Sequence, residues 1–148
     1  MSKRPTNINT AQYEVGQSPR ESEASFRFLD ISGEHIGVKI EELPKGGTSS
    51  YHHYHTAEEE HVIVLEGTGT LHLGEEHIEL ANGDHICFPA GEAVAHHIEN
   101  RLDTPLKFLV FGERKQDDVV FYPNGNVVSV KSAAGYNFYN YEVFERDS

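Results

Sequence analysis

The chain is cut into short runs. Apolar and polar residues alternate over about four to eight positions, and glycine, proline or asparagine then interrupts, roughly every ten residues. Phe26 and Phe28 alternate with Arg27 and Leu29 ahead of Ser32-Gly33, and Ile36, Val38 and Ile40 alternate with Gly37, Lys39 and Glu41 ahead of Pro44-Lys45-Gly46-Gly47. Val62 to Leu65 is closed by Gly67. Thr70 to Leu73 and His77 to Leu80 flank Gly74-Glu75-Glu76 as the arms of a hairpin would. His85 to Phe88 lies between the turns Asn82-Gly83-Asp84 and Pro89-Ala90-Gly91. Leu106 to Phe111 is apolar on both parities, Val119 to Tyr122 and Val127 to Val130 bracket Pro123-Asn124-Gly125-Asn126, and Tyr136 to Phe144 alternates aromatic with polar residues. No stretch sustains a 3.6-residue period, so no helical layer is predicted and the pattern points to an all-β sandwich or barrel.

At 148 residues the chain suffices for one domain with a real core. Met1 to Ala24 is polar and carries Pro5 and Pro19, so residues 1–24 are expected to form a loose arm, disordered or draped over the domain. Residues 25–148 are expected to form the β-domain, with the aromatic tail as its last strand. The formal net charge of −12 argues against nucleic acid and anionic membranes as partners, and no apolar run approaches the roughly 20 residues of a membrane span. The N-terminus lacks an apolar signal core, and Cys87 is the sole cysteine; both favour the cytoplasm.

The ten histidines are unevenly spread. In a strand, residues two apart share a face, so His53 and His55 point together while Tyr54 points away. Four residues then allow a turn before Glu60, whose side chain can approach the same point, with Val62 and Val64 on that face and Ile63 and Leu65 on the other. His96 and His97 cannot both face inward from one strand. An isolated His-x-His is weak by itself, and exposed histidines are common; Glu60, the glycine punctuation and a second histidine segment strengthen the metal reading. Tyr51 shares parity with His53 and His55 and is a candidate substrate contact, with a packed aromatic as the alternative. His52, Tyr54 and His61 fall on the other parity, His72, His77 and His85 are expected to be solvated, and Cys87 is read as a small core residue. No nucleophile elbow or phosphate loop is present.

Gly47-x5-His53-x-His55-x4-Glu60-x6-Gly67 resembles the first cupin motif at every spacing, and Gly83-x5-Pro89-x-Gly91 followed by His96-x3-Asn100 resembles the second. One departure is that four residues, where two are usual, separate Gly91 from the histidine. The resemblance is to small stand-alone bacterial cupins, including ones that end in an Asp-x-Val-x-Tyr-Pro segment like Asp118 to Pro123. It implies a jelly-roll β-barrel with a metal in its mouth, held by His53, His55, Glu60 and His96.

Four protein ligands on an octahedral ion leave two positions for water, dioxygen or a bidentate substrate. Three neutral imidazoles and one carboxylate give a divalent site a net charge of about +1, which attracts an anionic or hydroxy-carbonyl ligand despite the acidic exterior. Zinc, manganese, iron, nickel and copper all suit these donors. The expectation is a metal-binding cupin that binds and acts on a small oxygenated molecule, a keto or hydroxy acid or a sugar derivative. As an enzyme it would be a dioxygenase, isomerase, lyase or decarboxylase; a non-catalytic ligand- or sugar-binding module is the alternative. The apolar outward positions Ile63, Leu65, Leu109 and Phe111 suggest a homodimer packed sheet on sheet.

Overall fold

The computed structural model of the protein describes residues 4–17 and 25–143. Thirteen strands follow in order: β1 (Glu14–Gln17), β2 (Ser25–Asp30), β3 (Ile36–Leu43), β4 (Tyr54–His55), β5 (Glu60–Glu66), β6 (Gly69–Leu73), β7 (Glu76–Leu80), β8 (His85–Phe88), β9 (His96–Glu99), β10 (Leu106–Glu113), β11 (Val119–Tyr122), β12 (Val127–Ser132) and β13 (Gly135–Asn140). Between β11 and β12, Pro123–Gly125 forms a single 3₁₀ turn that ends at Asn126 in the left-handed region. Among the described residues no helix is long and apolar enough to cross a membrane.

The strands form a six-stranded sheet in the order β1-β2-β3-β10-β5-β8, a four-stranded sheet β13-β12-β11-β4 and a three-stranded sheet β7-β6-β9. All pairings are antiparallel. The all-β expectation holds and a jelly roll fits, but ladder hydrogen bonds do not close the sheets into one continuous barrel. Residues 14–17 pair with β2 as the edge strand of the six-stranded sheet, and the Tyr13 ring lies under Arg27 and Lys107, 5.0 and 5.7 Å from its centroid. Residues 1–3 and 18–24 of the expected arm lie outside the described residues, as does Phe144 of the expected last strand.

The core lies between the six- and three-stranded sheets. Leu43, Val62, Val64, Phe88, Leu106 and Phe108 from the first meet Leu71, Leu80 and Ile98 from the second, all buried. Full burial stabilises each such side chain by about 1.5–3 kcal/mol. Strand register shows which parity faces inward. Glu41, Phe108 and Val64 stand opposite one another across β3, β10 and β5, with Phe28 beyond on β2, while Leu29, Ile40, Leu109 and Ile63 form the corresponding row on the outer face. The inner side of β3 is therefore Lys39, Glu41 and Leu43, not the Ile36-Val38-Ile40 side that alternation suggests. Ile40 is buried in the outer row, and Ile36 is 49% exposed.

Ile63, Leu65, Leu109 and Phe111 are half-buried within the single chain. The large exposed apolar surface is instead on β13, where Tyr136, Phe138 and Tyr139 are 60, 64 and 56% exposed.

Candidate metal centre

The two histidine segments meet through their backbones. His53 N donates to His96 O and His96 N to His53 O, at 3.2 and 2.9 Å, an isolated bridge that sets the two residues opposite each other. Asn100 anchors the far end of this seam. Fully buried, it donates from Nδ2 to Leu43 O and Thr104 O and accepts from Leu102 N. With that end fixed, strand parity turns His96 inward, its ring stacked on Phe88 at 3.5 Å and 3°, while His97 turns outward and stacks on His72. Glu60 enters from the start of β5 opposite Gly112. A Cβ at Gly112 would stand 2.4 Å from Glu59 O and 3.2 Å from Glu60 Cα, so only glycine lets β10 lie this close beneath the carboxylate.

Three imidazoles converge on one carboxylate oxygen. The Nε2 atoms of His55, His96 and His53 lie 3.4, 3.5 and 4.0 Å from Glu60 Oε2. Two of the rings are aimed from behind. His55 Nδ1 lies 2.6 Å from Asp118 Oδ2 and His53 Nδ1 lies 2.7 Å from Tyr51 O. Each Nδ1 donates its proton there, which turns the Nε2 lone pair toward the centre. Asp118 is itself fixed by the backbone N–H groups of Ala57 and Glu58, at 3.0 and 3.2 Å. Both ring nitrogens of His96 are buried without a hydrogen-bond partner. A buried polar atom in that condition is rare and costly, and a cation between the four side chains would give His96 Nε2 its partner. The donor set thus fits a divalent metal.

Electrostatics follow from the packing. Burial, reinforced by neighbouring His96, pushes the His53 pKa down to about 4, with Glu60 pulling the other way. Burial also opposes a charge on His55, but Asp118 and Glu60 outweigh it and raise the pKa to about 10. Glu60 is held well below the usual carboxylate range: burial opposes ionisation, and His55 and His96 overcome it.

The centre opens into a cavity of about 650 Å³. Two of its lining residues were not singled out from sequence. Glu41 shares the cavity with the four converging side chains, and burial pushes its carboxyl up to about 7, with Lys39 lowering and Glu60 raising it. Arg114 also lines the cavity, as do Lys39, Lys115 and Lys131. Tyr51, by contrast, does not line the cavity. Residues 49–53 form bends and bridges rather than strand, which breaks the parity from Tyr51 to His55, and the Tyr51 ring is 54% exposed beside Tyr122. Only its carbonyl serves the centre. Cys87 is also displaced from its expected place: it faces outward beside His61, not into the core.

Comparison with known proteins agrees with this architecture. The cupin domain profile matches residues 39–112. The chain belongs to the cupin family. This cupin is similar to a candidate sugar phosphate isomerase from Acidithiobacillus ferrooxidans, with a TM-score of 0.83 and 29% identity over 94% of this chain and 93% of that one. It is also similar to a cupin-superfamily sugar phosphate isomerase from Silicibacter pomeroyi, with a TM-score of 0.75 and 30% identity over 78% of this chain and 76% of that one. A Methanocaldococcus jannaschii protein of uncharacterised function is 39% identical over 67 residues, 45% of this chain, and the cupin spans about half (51%) of that relative.

Proposed function

We propose that this cupin is a metal-dependent isomerase acting on a small phosphorylated hydroxy-carbonyl compound of the sugar phosphate class, with His53, His55, Glu60 and His96 as the ligands of a divalent zinc, manganese, iron, nickel or copper ion. The observation that carries the reading is the convergence of three Nε2 atoms on Glu60 Oε2 at the base of a cavity that also holds Glu41. When bound, such an ion supplies Lewis acidity toward a carbonyl or hydroxyl oxygen.

The chain's own residues account for the remaining tasks. Glu41 has a carboxyl that changes charge near neutrality, which suits a group that takes a proton from the hydroxyl-bearing carbon and returns it to the neighbouring carbonyl carbon. In the same interchange the hydroxyl proton passes to the former carbonyl oxygen, so an aldose and a ketose interconvert with every atom conserved. A module that only binds its ligand has no need of such a group, so Glu41 favours an enzyme over a binding protein. Among the lining residues, Glu58 takes Lys131 at 2.8 Å and Glu113 takes Lys115 at 3.5 Å. Arg114 gives one N–H to Gly33 O at 3.1 Å and keeps further donors for a phosphate. The names of the two structural relatives support the same substrate class. A cytoplasmic location and a homodimer belong to this proposal as well, supported by the single cysteine and the exposed aromatic residues of β13.

The test is chelation and reloading with each metal, followed by NMR observation of aldose and ketose phosphates in deuterated water. Interconversion with deuterium uptake is expected of the loaded protein, with Glu41→Gln retaining metal and losing at least about 100-fold in turnover. If no sugar phosphate binds or turns over, or if Glu41→Gln is as fast as wild type, the reading is wrong.

A further inference from the structure

A second donor cluster lies on the opposite face of the same strand. His61 and Cys87 are register partners on β5 and β8, and strand parity sets both on the outer face of the six-stranded sheet, with His85 two residues before Cys87 on the same side. Glu59 sits just ahead of β5, its carboxylate Oε2 3.0 Å from His61 Nε2. One donor atom each from Glu59, His61 and Cys87 lies within 4.8 Å of the others. Ligands about 2.0–2.3 Å from a single tetrahedral ion stand roughly 3.3–3.8 Å apart, so side-chain adjustments of about an ångström close the triad on a cation.

The triad is held in advance. The His61 ring lies parallel to Phe111, at 5.0 Å and 5°, and meets His85 edge to edge, at 5.2 Å and 23°. Its Nδ1 lies 2.9 Å from His85 Nε2, the kind of hydrogen bond that orients a metal-binding imidazole from behind. All of these side chains keep some solvent access, so an ion can reach them without any opening of the fold.

We propose that Glu59, His61 and Cys87 form a second metal site, oriented by His85 and selective for soft or borderline divalent ions. A thiolate, an imidazole and a carboxylate together suit zinc, cobalt or cadmium and disfavour magnesium and calcium. The fourth position is left to water. Binding releases the thiol proton to solvent, and the ion replaces the proton between Glu59 and His61, which leaves His61 as the tautomer that donates from Nδ1 to His85 Nε2. This site shares no ligand with the inner centre and does not rest on the isomerase reading.

Cobalt(II) titration of the chelator-treated full chain separates the two sites. Wild type is expected to take up two equivalents, one of which brings a thiolate-to-cobalt charge-transfer band in the near ultraviolet. Cys87→Ser should abolish the band and retain one equivalent. His61→Ala should shift the band's midpoint to at least about tenfold higher cobalt. His96→Gln, which alters only the inner centre, should leave the band and its midpoint unchanged, and circular dichroism checks that each variant keeps its sheet. Three outcomes overturn the proposal: weak, non-saturating uptake without a thiolate band; a band insensitive to His61→Ala; or a band lost in His96→Gln.

Discussion

Strand β5 carries donor atoms on both faces, and the contrast between them shows how burial and hydrogen bonding suit one cluster to a cation better than the other. Inward, Glu60 meets His53, His55 and His96; outward, Glu59 and His61 meet His85 and Cys87. The residue types are nearly the same. Their surroundings are not. On the inner face the imidazoles are largely desolvated, the Nδ1 atoms of His53 and His55 are committed to Tyr51 O and Asp118, and both nitrogens of His96 lack a hydrogen-bond partner. Each unmet buried group costs about 1–3 kcal/mol, and a cation at the centre would recover that for His96 Nε2. On the outer face water reaches the donors, and His61 already bonds on both ring nitrogens. A cation there must displace contacts that are satisfied. The inner face is thus expected to bind its ion far more tightly.

The most direct way to break this comparison is to remove one acid from each face. Glu60→Ala should weaken inner metal binding by more than about 100-fold, beyond the loss typical of a supporting residue, whereas Glu59→Ala should leave that equivalent in place. Elemental analysis after desalting reads both. Equal metal in wild type and Glu60→Ala would remove the inner centre from consideration.

The same two faces differ in what they contribute to folding. Phe108 is fully buried on the inner face, and Leu109 beside it on the outer face is half-buried. Phe108→Ala should cost about 3–5 kcal/mol, and Leu109→Ala about 1–2 kcal/mol because its site is already partly open to water. Urea unfolding monitored by circular dichroism measures the pair. Equal costs would mean that the outer face is covered, as a sheet-on-sheet dimer would cover it.

Which parts of this were legible in the sequence depends on how far each residue's role extends along the chain. Glycine and proline punctuation marked most of the strands, because turn chemistry is local. The spacing of His53, His55 and Glu60 exposed the inner cluster, because all three lie close together in the chain, around the short β4 and the turn that follows it. Glu41 and Asp118 were not legible. Each comes from a distant segment, and its role exists only once β3 or the stretch before β11 packs against the histidines. For Glu41 there was also a misleading signal. β3 is apolar on the Ile36-Val38-Ile40 side, yet that side faces outward, where Ile40 packs between Leu29 and Leu109. Alternation tells that two faces differ without telling which one lines a polar cavity. Tyr51 failed for the opposite reason: parity was carried through residues that are not strand, since β4 is only Tyr54–His55.

Asp118 sharpens the comparison at the level of a single hydrogen bond. Asp118→Asn keeps the shape but loses the charge that holds His55 Nδ1–H at 2.6 Å. Inner metal affinity should fall about 10–100-fold, equivalent to about 1.4–2.8 kcal/mol, by competition with a chromophoric chelator. An unchanged affinity would show that ring orientation is set by packing alone.

The outer counterpart of that hydrogen bond is His61 to His85, at a similar 2.9 Å. His85 is exposed, so His85→Ala exchanges the bond for one to water, and His61 stays stacked on Phe111. Unfolding free energy should move by no more than about 0.5 kcal/mol, and the inner metal equivalent should not change. The two bonds thus both hold an imidazole Nδ1 and differ in partner, in burial and in what they orient. A loss above about 1.5 kcal/mol for His85→Ala would show that the outer cluster is a structural clasp between β5 and β8. In that case solvent exposure would no longer explain why the two faces of β5 behave differently.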